Sequence, residues 1–321
     1  MEGTDARLRF RAGRFAVTAL VAVVLAACGG KAALPRPAHS PSASGPSFPL
    51  TVTDDDGVSV TIASRPTRII TFAPSNTEIV FALGLGPELV GVSGRFDDFP
   101  PEAKTIAHVG GAGEFGDQPN AERVVALHPD LMLAISGGDQ WKQRLRALGI
   151  PVFTVNATDF SDLLGDIRTV GRITGVPDRA AALTAQLGAR AAAVQTAVAR
   201  DARVTCFFEV YYPPLTTVGP HTFIFDLLRR AGCDPVTGGA TSDYPEWSID
   251  DLVVEGPAVY LVASESGVSP EAVARRPGFG AIAAVRTGHV YLIDSDLVSR
   301  PGPRVVDGLE ALARVLHPGS V

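Results

Sequence analysis

Glu122 and Asp250 hold matched positions in two stretches 128 residues apart. The first reads Asn120-Ala121-Glu122-Arg123-Val124-Val125 and runs through Pro129 to Leu131 and Leu133. The second reads Ser248-Ile249-Asp250-Asp251-Leu252-Val253 and runs through Pro257 to Val259 and Leu261. Asn120 and Ser248 suit helix N-caps, and a carboxylate two residues on meets the positive helix end, which accounts for either stretch alone. The recurrence points to related halves and offers paired negative charges to a partner with twofold symmetry. Other chemistry is sparse. The histidines His39, His108, His128, His221, His289 and His317 are scattered, and no two stand at metal-ligand spacing. His128 and His317 sit beside prolines where a helix end is expected, and His108 and His221 fall in loops. Neither a Gly-x-Ser-x-Gly elbow nor a Gly-x-x-x-x-Gly-Lys phosphate loop occurs, so an enzyme is not expected. The net charge of -6 argues against gripping nucleic acid through its backbone.

These residues need a frame, and the hydrophobic pattern supplies one. Residues 51–62, centred on Asp55-Asp56-Gly57, read as a hairpin. Strand-like runs follow at 68–72, 89–92, 131–134 and 152–155, with a helix over 77–83. Residues 178–200 lack proline and carry Leu183, Leu187, Val194 and Val198 on one helical stripe. That helix would be about 35 Å long at 1.5 Å per residue, enough to brace two lobes. The second half repeats the alternation: strand 204–211, helix 223–231, strands 259–262 and 290–293, and a final helix over 304–316. The expected fold is α/β, with two Rossmann-like lobes of mostly parallel sheet joined by a single long backbone helix. The first lobe spans residues 50–177, the linking helix 178–200 and the second lobe 201–321.

The chain before residue 50 reads differently. Arg7, Arg9, Arg11 and Arg14 precede an apolar run over 15–27 that is too short to cross a bilayer. The run ends in Leu25-Ala26-Ala27-Cys28-Gly29, which resembles a bacterial lipobox. Residues 1–27 are then a lipoprotein leader, Cys28 the lipidated first residue, and 28–49, rich in Gly, Ala, Pro and Ser, a flexible tether. Cys206 and Cys233 remain in the exported part. An oxidising compartment permits a bridge between them, and two free thiols are equally compatible with the sequence.

The stretch from Ile69 through Pro74-Ser75-Asn76-Thr77-Glu78 to Gly84, continuing to Val90-Gly91-Val92 and Asp98-Phe99-Pro100-Pro101-Glu102, closely resembles the helical-backbone metal-receptor proteins. These are the class III periplasmic solute-binding proteins of ABC importers, and the likeness is greatest to their cobalamin branch. Further matches are Thr222-Phe223 with Asp226, and Ser299-Arg300-Pro301-Gly302-Pro303-Arg304 with Asp307-Gly308-Leu309. The resemblance implies a monomeric receptor on the outer face of the cytoplasmic membrane, anchored through Cys28. It would capture cobalamin or a related corrinoid between its lobes as transported ligand, without a cofactor or bound metal of its own. By position, Pro74 and Ser75 begin the cleft floor, Phe96, Tyr211 and Tyr244 supply aromatic faces, and Asp296 with Arg300 forms a polar pair beside the ligand. Glu122 and Asp250 fall on acids that dock a dimeric permease. Phe115 stands beside a place where Gly116 replaces an aromatic. Trp247, close to Tyr244 in a polar loop, also leans toward the cleft, since aromatic faces suit a flat, partly apolar macrocycle. Ile135 and Leu297 replace aromatics seen in the cobalamin branch. A ferric siderophore or haem receptor of the same architecture is the competing expectation.

Overall fold

The hairpin forms where Asp55-Asp56-Gly57 turns the chain: β1 (Leu50–Thr53) pairs antiparallel with β2 (Ser59–Ile62), Gly57 taking a positive φ at the turn. These elements belong to a computed structural model that describes residues 46–110 and 118–320. Cys28 and Phe115 lie outside the described residues.

Beyond the hairpin come β3 (Ile69–Phe72), α1 (Pro74–Ala82), β4 (Leu89–Gly91), α2 (Ala121–Ala126), β5 (Leu131–Ala134), α3 (Asp139–Ala147), β6 (Val152–Thr154) and α4 (Phe160–Ile173). Every residue of β3, β5 and β6 is buried, as expected of parallel strands covered on both faces. Helix α1 starts three residues before the expected Thr77, because a proline is tolerated at the first helical position, where no N–H is needed.

Helix α5 (Pro177–Val198) connects the halves. Its buried face is Ala180, Thr184, Leu187, Ala191, Val194 and Val198, whereas Leu183 is only half-buried at the margin. The small residues let other helices come close. A Cβ on Gly171 of α4 would lie 2.3 Å from the Ala180 Cβ, so only glycine permits this crossing. On its other side α5 packs against the final helix, and Arg190 pairs with Asp307 at 2.6 Å and Glu310 at 2.8 Å.

The second lobe holds β7 (Val204–Glu209), α6 (Phe223–Arg230), β8 (Cys233–Pro235), α7 (Ile249–Glu255), β9 (Val259–Ala263), α8 (Pro270–Ala274), α9 (Ala283–Thr287), β10 (Val290–Ile293), α10 (Ser295–Val298) and α11 (Val305–Leu316). Cys233 lies on the short strand β8. It is bonded to Cys206 across the parallel β7–β8 pair, with the Cα atoms 6.0 Å apart and both side chains fully buried.

The two parallel sheets share one topology. Their orders are β4-β3-β5-β6 and, read from the other edge, β8-β7-β9-β10. In each, the first strand is internal, the second lies on one side of it and the third on the other. One face of each sheet contributes to a common apolar core that continues through α1, α4, α5, α6 and α11, and the opposite faces carry separate clusters against α2 and α3 or α7 to α9. The lobes are thus fused along the spine side as well as joined by α5.

Candidate ligand-binding cleft

In an open parallel sheet, the crevice lies at the carboxyl ends of the strands where the order reverses. Here those points are the ends of β3 and β5 in one lobe and of β7 and β9 in the other, and they face one another. Phe72, Pro74, Ile135, Ser136, Val210, Tyr211, Glu265 and Ser266 follow from these ends and line a chamber of about 900 Å³. Trp141 of α3 backs it, edge-on to Phe72 at 5.3 Å. A smaller chamber of about 420 Å³ adjoins it, and the two share Ala73, Pro74, Ile135, Ser299 and Arg300 on their walls.

Phe96 reaches the larger chamber on a short loop held by one buried carboxylate. Asp97 accepts from Thr77 Oγ1 at 2.5 Å, from the Gly94 N–H at 2.8 Å and from Ser93 Oγ. The Arg95 guanidinium lies 4.6 Å over the Phe96 ring. Tyr211 is held from behind. Its neighbour Tyr212 packs on Phe279 and under Arg276, whose guanidinium clasps the fully buried Glu209 at 2.6 and 2.9 Å. The phenol of Tyr260 donates to the same carboxylate at 2.5 Å. Tyr244 lines the smaller chamber, on a loop that hydrogen-bonds Gly219 and Thr217. A Cβ on Gly219 would sit 2.1 Å from the Ser242 carbonyl, so only glycine allows this approach. Burial raises the Tyr244 phenol pKa, with Asp243 and Glu265 adding to the effect.

The floor is charged, and both of its arginines are engaged by carboxylates. Arg300 lies 2.5 Å from Asp296, 3.2 Å from Asp98 and 4.0 Å from Glu78. Arg304 clasps Glu78 at 2.6 and 3.0 Å and stacks 4.0 Å over Phe99. Burial pushes the carboxyls of Glu78, Asp296 and Glu265 upward, and the arginines oppose that rise. Glu78 and Asp98 belong to the first lobe and Arg300 and Arg304 to the second, so the floor also ties the lobes together.

The structure brings Pro74, Phe96, Tyr211, Asp296 and Arg300 to the larger chamber and Pro74, Ser75, Tyr244 and Arg300 to the smaller. Trp247 is not among them. It packs against the outer cluster of the second lobe and donates from Nε1 to Glu255 at 3.2 Å, because the segment it opens leads into α7 and away from the cleft. Leu297 is half-buried and does not line either chamber. Sequence reasoning passed over Phe72, Trp141 and Glu265 as lining residues. Phe72 could have been found, since it ends β3 immediately before the Ala73-Pro74 floor.

Glu122 and Asp250 are exposed in the first turns of α2 and α7. Asn120 caps one helix by accepting from the Arg123 N–H at 3.0 Å, and Ser248 caps the other by accepting from the Asp250 and Asp251 N–H groups at 3.1 and 3.4 Å. Each helix leads into the third strand of its sheet, so the two carboxylates occupy equivalent places in the repeated topology.

A family model described as periplasmic binding protein matches residues 69–297, from the start of β3 to α10. The chain belongs to this family. The family consists of substrate-binding transport proteins, not enzymes. An ABC transporter substrate-binding lipoprotein of Bacillus subtilis is 33% identical over 326 residues, 97% of this chain and 98% of the relative. A cobalamin-binding protein of Halobacterium salinarum is 31% identical over 323 residues, 95% of this chain and 85% of the relative. Among solved structures, an ABC-type Fe3+-hydroxamate transport system from Saccharomonospora viridis superposes with a TM-score of 0.71 at 28% identity, covering 84% of this chain and all of its own. This periplasmic binding protein therefore binds a small transported ligand outside the cytoplasm, and the cleft between its lobes is the candidate site.

Proposed function

We propose that this binding protein captures cobalamin or a related corrinoid in the cleft and delivers it to an ABC importer, held to the membrane by lipid on Cys28. The observation that carries this reading is a chamber walled by an aromatic ring from each lobe, Phe96 and Tyr211, above a floor whose Arg300 is already matched by carboxylates. Opposed apolar faces suit a flat macrocycle, and a floor whose arginines are already paired with carboxylates suits a ligand that brings no net negative charge of its own. The carboxylates of haemin or the oxygens of a ferric catecholate would ask for cations not already engaged, since a buried charge needs a partner. The cobalamin-binding name of the Halobacterium relative favours the same ligand. A ferric hydroxamate has no such excess charge, and the Saccharomonospora match makes it the second reading.

Calorimetric titration with cyanocobalamin, a ferric hydroxamate and haemin tests the choice. Saturable one-to-one binding of cyanocobalamin with Trp141 fluorescence quenched is expected. Strong heat from the hydroxamate and none from cobalamin would reverse it.

Glu122 and Asp250 are the proposed contacts to a dimeric permease. Changing both to lysine is expected to leave corrinoid affinity intact and to abolish uptake, and unchanged transport would refute the docking role. Cys28→Ser is expected to release the protein from membranes, and retention with its lipid label would refute the anchor.

A further inference from the structure

The smaller chamber is polar where the larger one is aromatic. Two helices begin on its wall, α1 at Pro74 from one lobe and α6 at Phe223 from the other. Among the described residues no side chain caps α1, because Ala73 stands at its N-cap. Pro74 has no N–H, so the amides of Ser75 and Asn76 are the ones left without an acceptor in the helix. Thr222 caps α6 by accepting from the Phe225 N–H alone, which leaves the first amides of that helix uncapped. Two positive helix ends therefore converge on one space.

Asn76 provides a separate sign. It lines this chamber and is 1% exposed, yet among the described residues neither its Oδ1 nor its Nδ2 has a hydrogen-bond partner. A buried amide left unpaired carries a desolvation penalty that a ligand group can recover. His221 also lines the chamber, and Asp243 is the acid on its wall. Arg300, shared with the larger chamber, is occupied with Asp98 and Asp296, so the helix ends and Asn76 rather than that guanidinium would meet an incoming charge.

We propose that the smaller chamber is an oxyanion subsite that receives the phosphodiester of the corrinoid's nucleotide tail, while the ring lies against Phe96 and Tyr211. The proposal rests on the corrinoid reading above and extends it to a specific group of the ligand. The uncapped amides of α1 donate to the phosphate oxygens, and the Asn76 amide completes the cradle.

Three corrinoids separate the possibilities: cobinamide, which lacks the phosphate, the ribose and the base, cobinamide phosphate, which lacks the ribose and the base, and cyanocobalamin. Calorimetry on the wild-type protein is expected to show both phosphate-bearing ligands binding about tenfold or more tighter than cobinamide, the worth of one charge-assisted hydrogen bond. Asn76→Asp sets a carboxylate against the phosphate and should weaken those two ligands by about tenfold or more, leaving cobinamide within about twofold. Asn76→Leu fills the same volume without polarity and should weaken the phosphate-bearing pair to a smaller degree. Its cobinamide affinity serves as the check on folding. Equal affinity for all three ligands, or equal loss for all three on Asn76→Asp, would overturn the subsite while leaving the corrinoid reading in place. Failure of every corrinoid to bind the wild-type protein would overturn both.

Discussion

The Asp97 carboxylate is 1% exposed and accepts from Thr77, Ser93 and the Gly94 N–H, so a single side chain fixes the loop that presents Phe96. Asp97→Ala would strand those donors in a buried place. Urea unfolding should show a loss of roughly 2–3 kcal/mol, with ligand affinity falling as the loop loosens. Phe96→Ala removes the presented ring and not its support, so it should lower affinity with little change in the urea midpoint. The Glu209 carboxylate does for Tyr211 what Asp97 does for Phe96, through Arg276 and Tyr212. Each lobe thus holds its aromatic with a buried acid. The same division appears in the sequence reading, where the presented residues Phe96 and Tyr211 were legible and their supports were not. A buried acid has no local pattern of its own, and Asp97 and Glu209 acquire their role only from partners that folding brings together.

At the level of elements, two attachments lead to measurable consequences. The turn between β1 and β2 meets α4 through carboxyls: Asp166 is pushed up to about 8, first by burial and then by Asp55 and Asp162, and burial also raises Asp55. Because the folded value lies above the ordinary 3.8, the protonated form favours the fold. That stability is fully present below pH 3.8 and is lost as pH rises through about 8. Urea midpoints should decline across this window, and Asp166→Asn should flatten the decline. The second attachment is the Cys206–Cys233 bridge, which closes a separation of 27 residues and holds the short edge strand β8 to β7. Replacing both cysteines by alanine should cost about 3–4 kcal/mol on loop-closure grounds, seen as a lowered urea midpoint relative to the oxidised protein. Thiol titration of denatured, unreduced protein should find neither of the two free.

At the scale of the whole molecule, the lobes are coupled by more than their connecting helix. A common apolar core runs along the spine, and Glu78 of one lobe is clasped by Arg304 of the other. Such coupling restricts hinge motion, so scattering profiles with and without ligand should differ little, in contrast to receptors whose domains close by large rotations. Arg304→Ala would leave the Glu78 carboxylate buried beside a single, more distant arginine. A loss of about 3–5 kcal/mol in urea unfolding is expected, with a larger ligand-dependent change in scattering than the wild type shows.

By itself the sequence determined the elements and their alternation. Apolar periodicity reports the strand or helix a segment prefers, and the paired Asn120-x-Glu122 and Ser248-x-Asp250 stretches reported that the halves are related. The tertiary structure alone decided which side chains meet. It turned Trp247 onto the outer cluster, brought Trp141 and Glu265 to the cleft, balanced Arg300 with acids from both lobes, and aimed two helix ends at one chamber. The reason is physical: periodicity is a local property of a few successive residues, whereas charge balance and cavity shape arise between segments separated by up to hundreds of residues, and only the packed chain sets those distances.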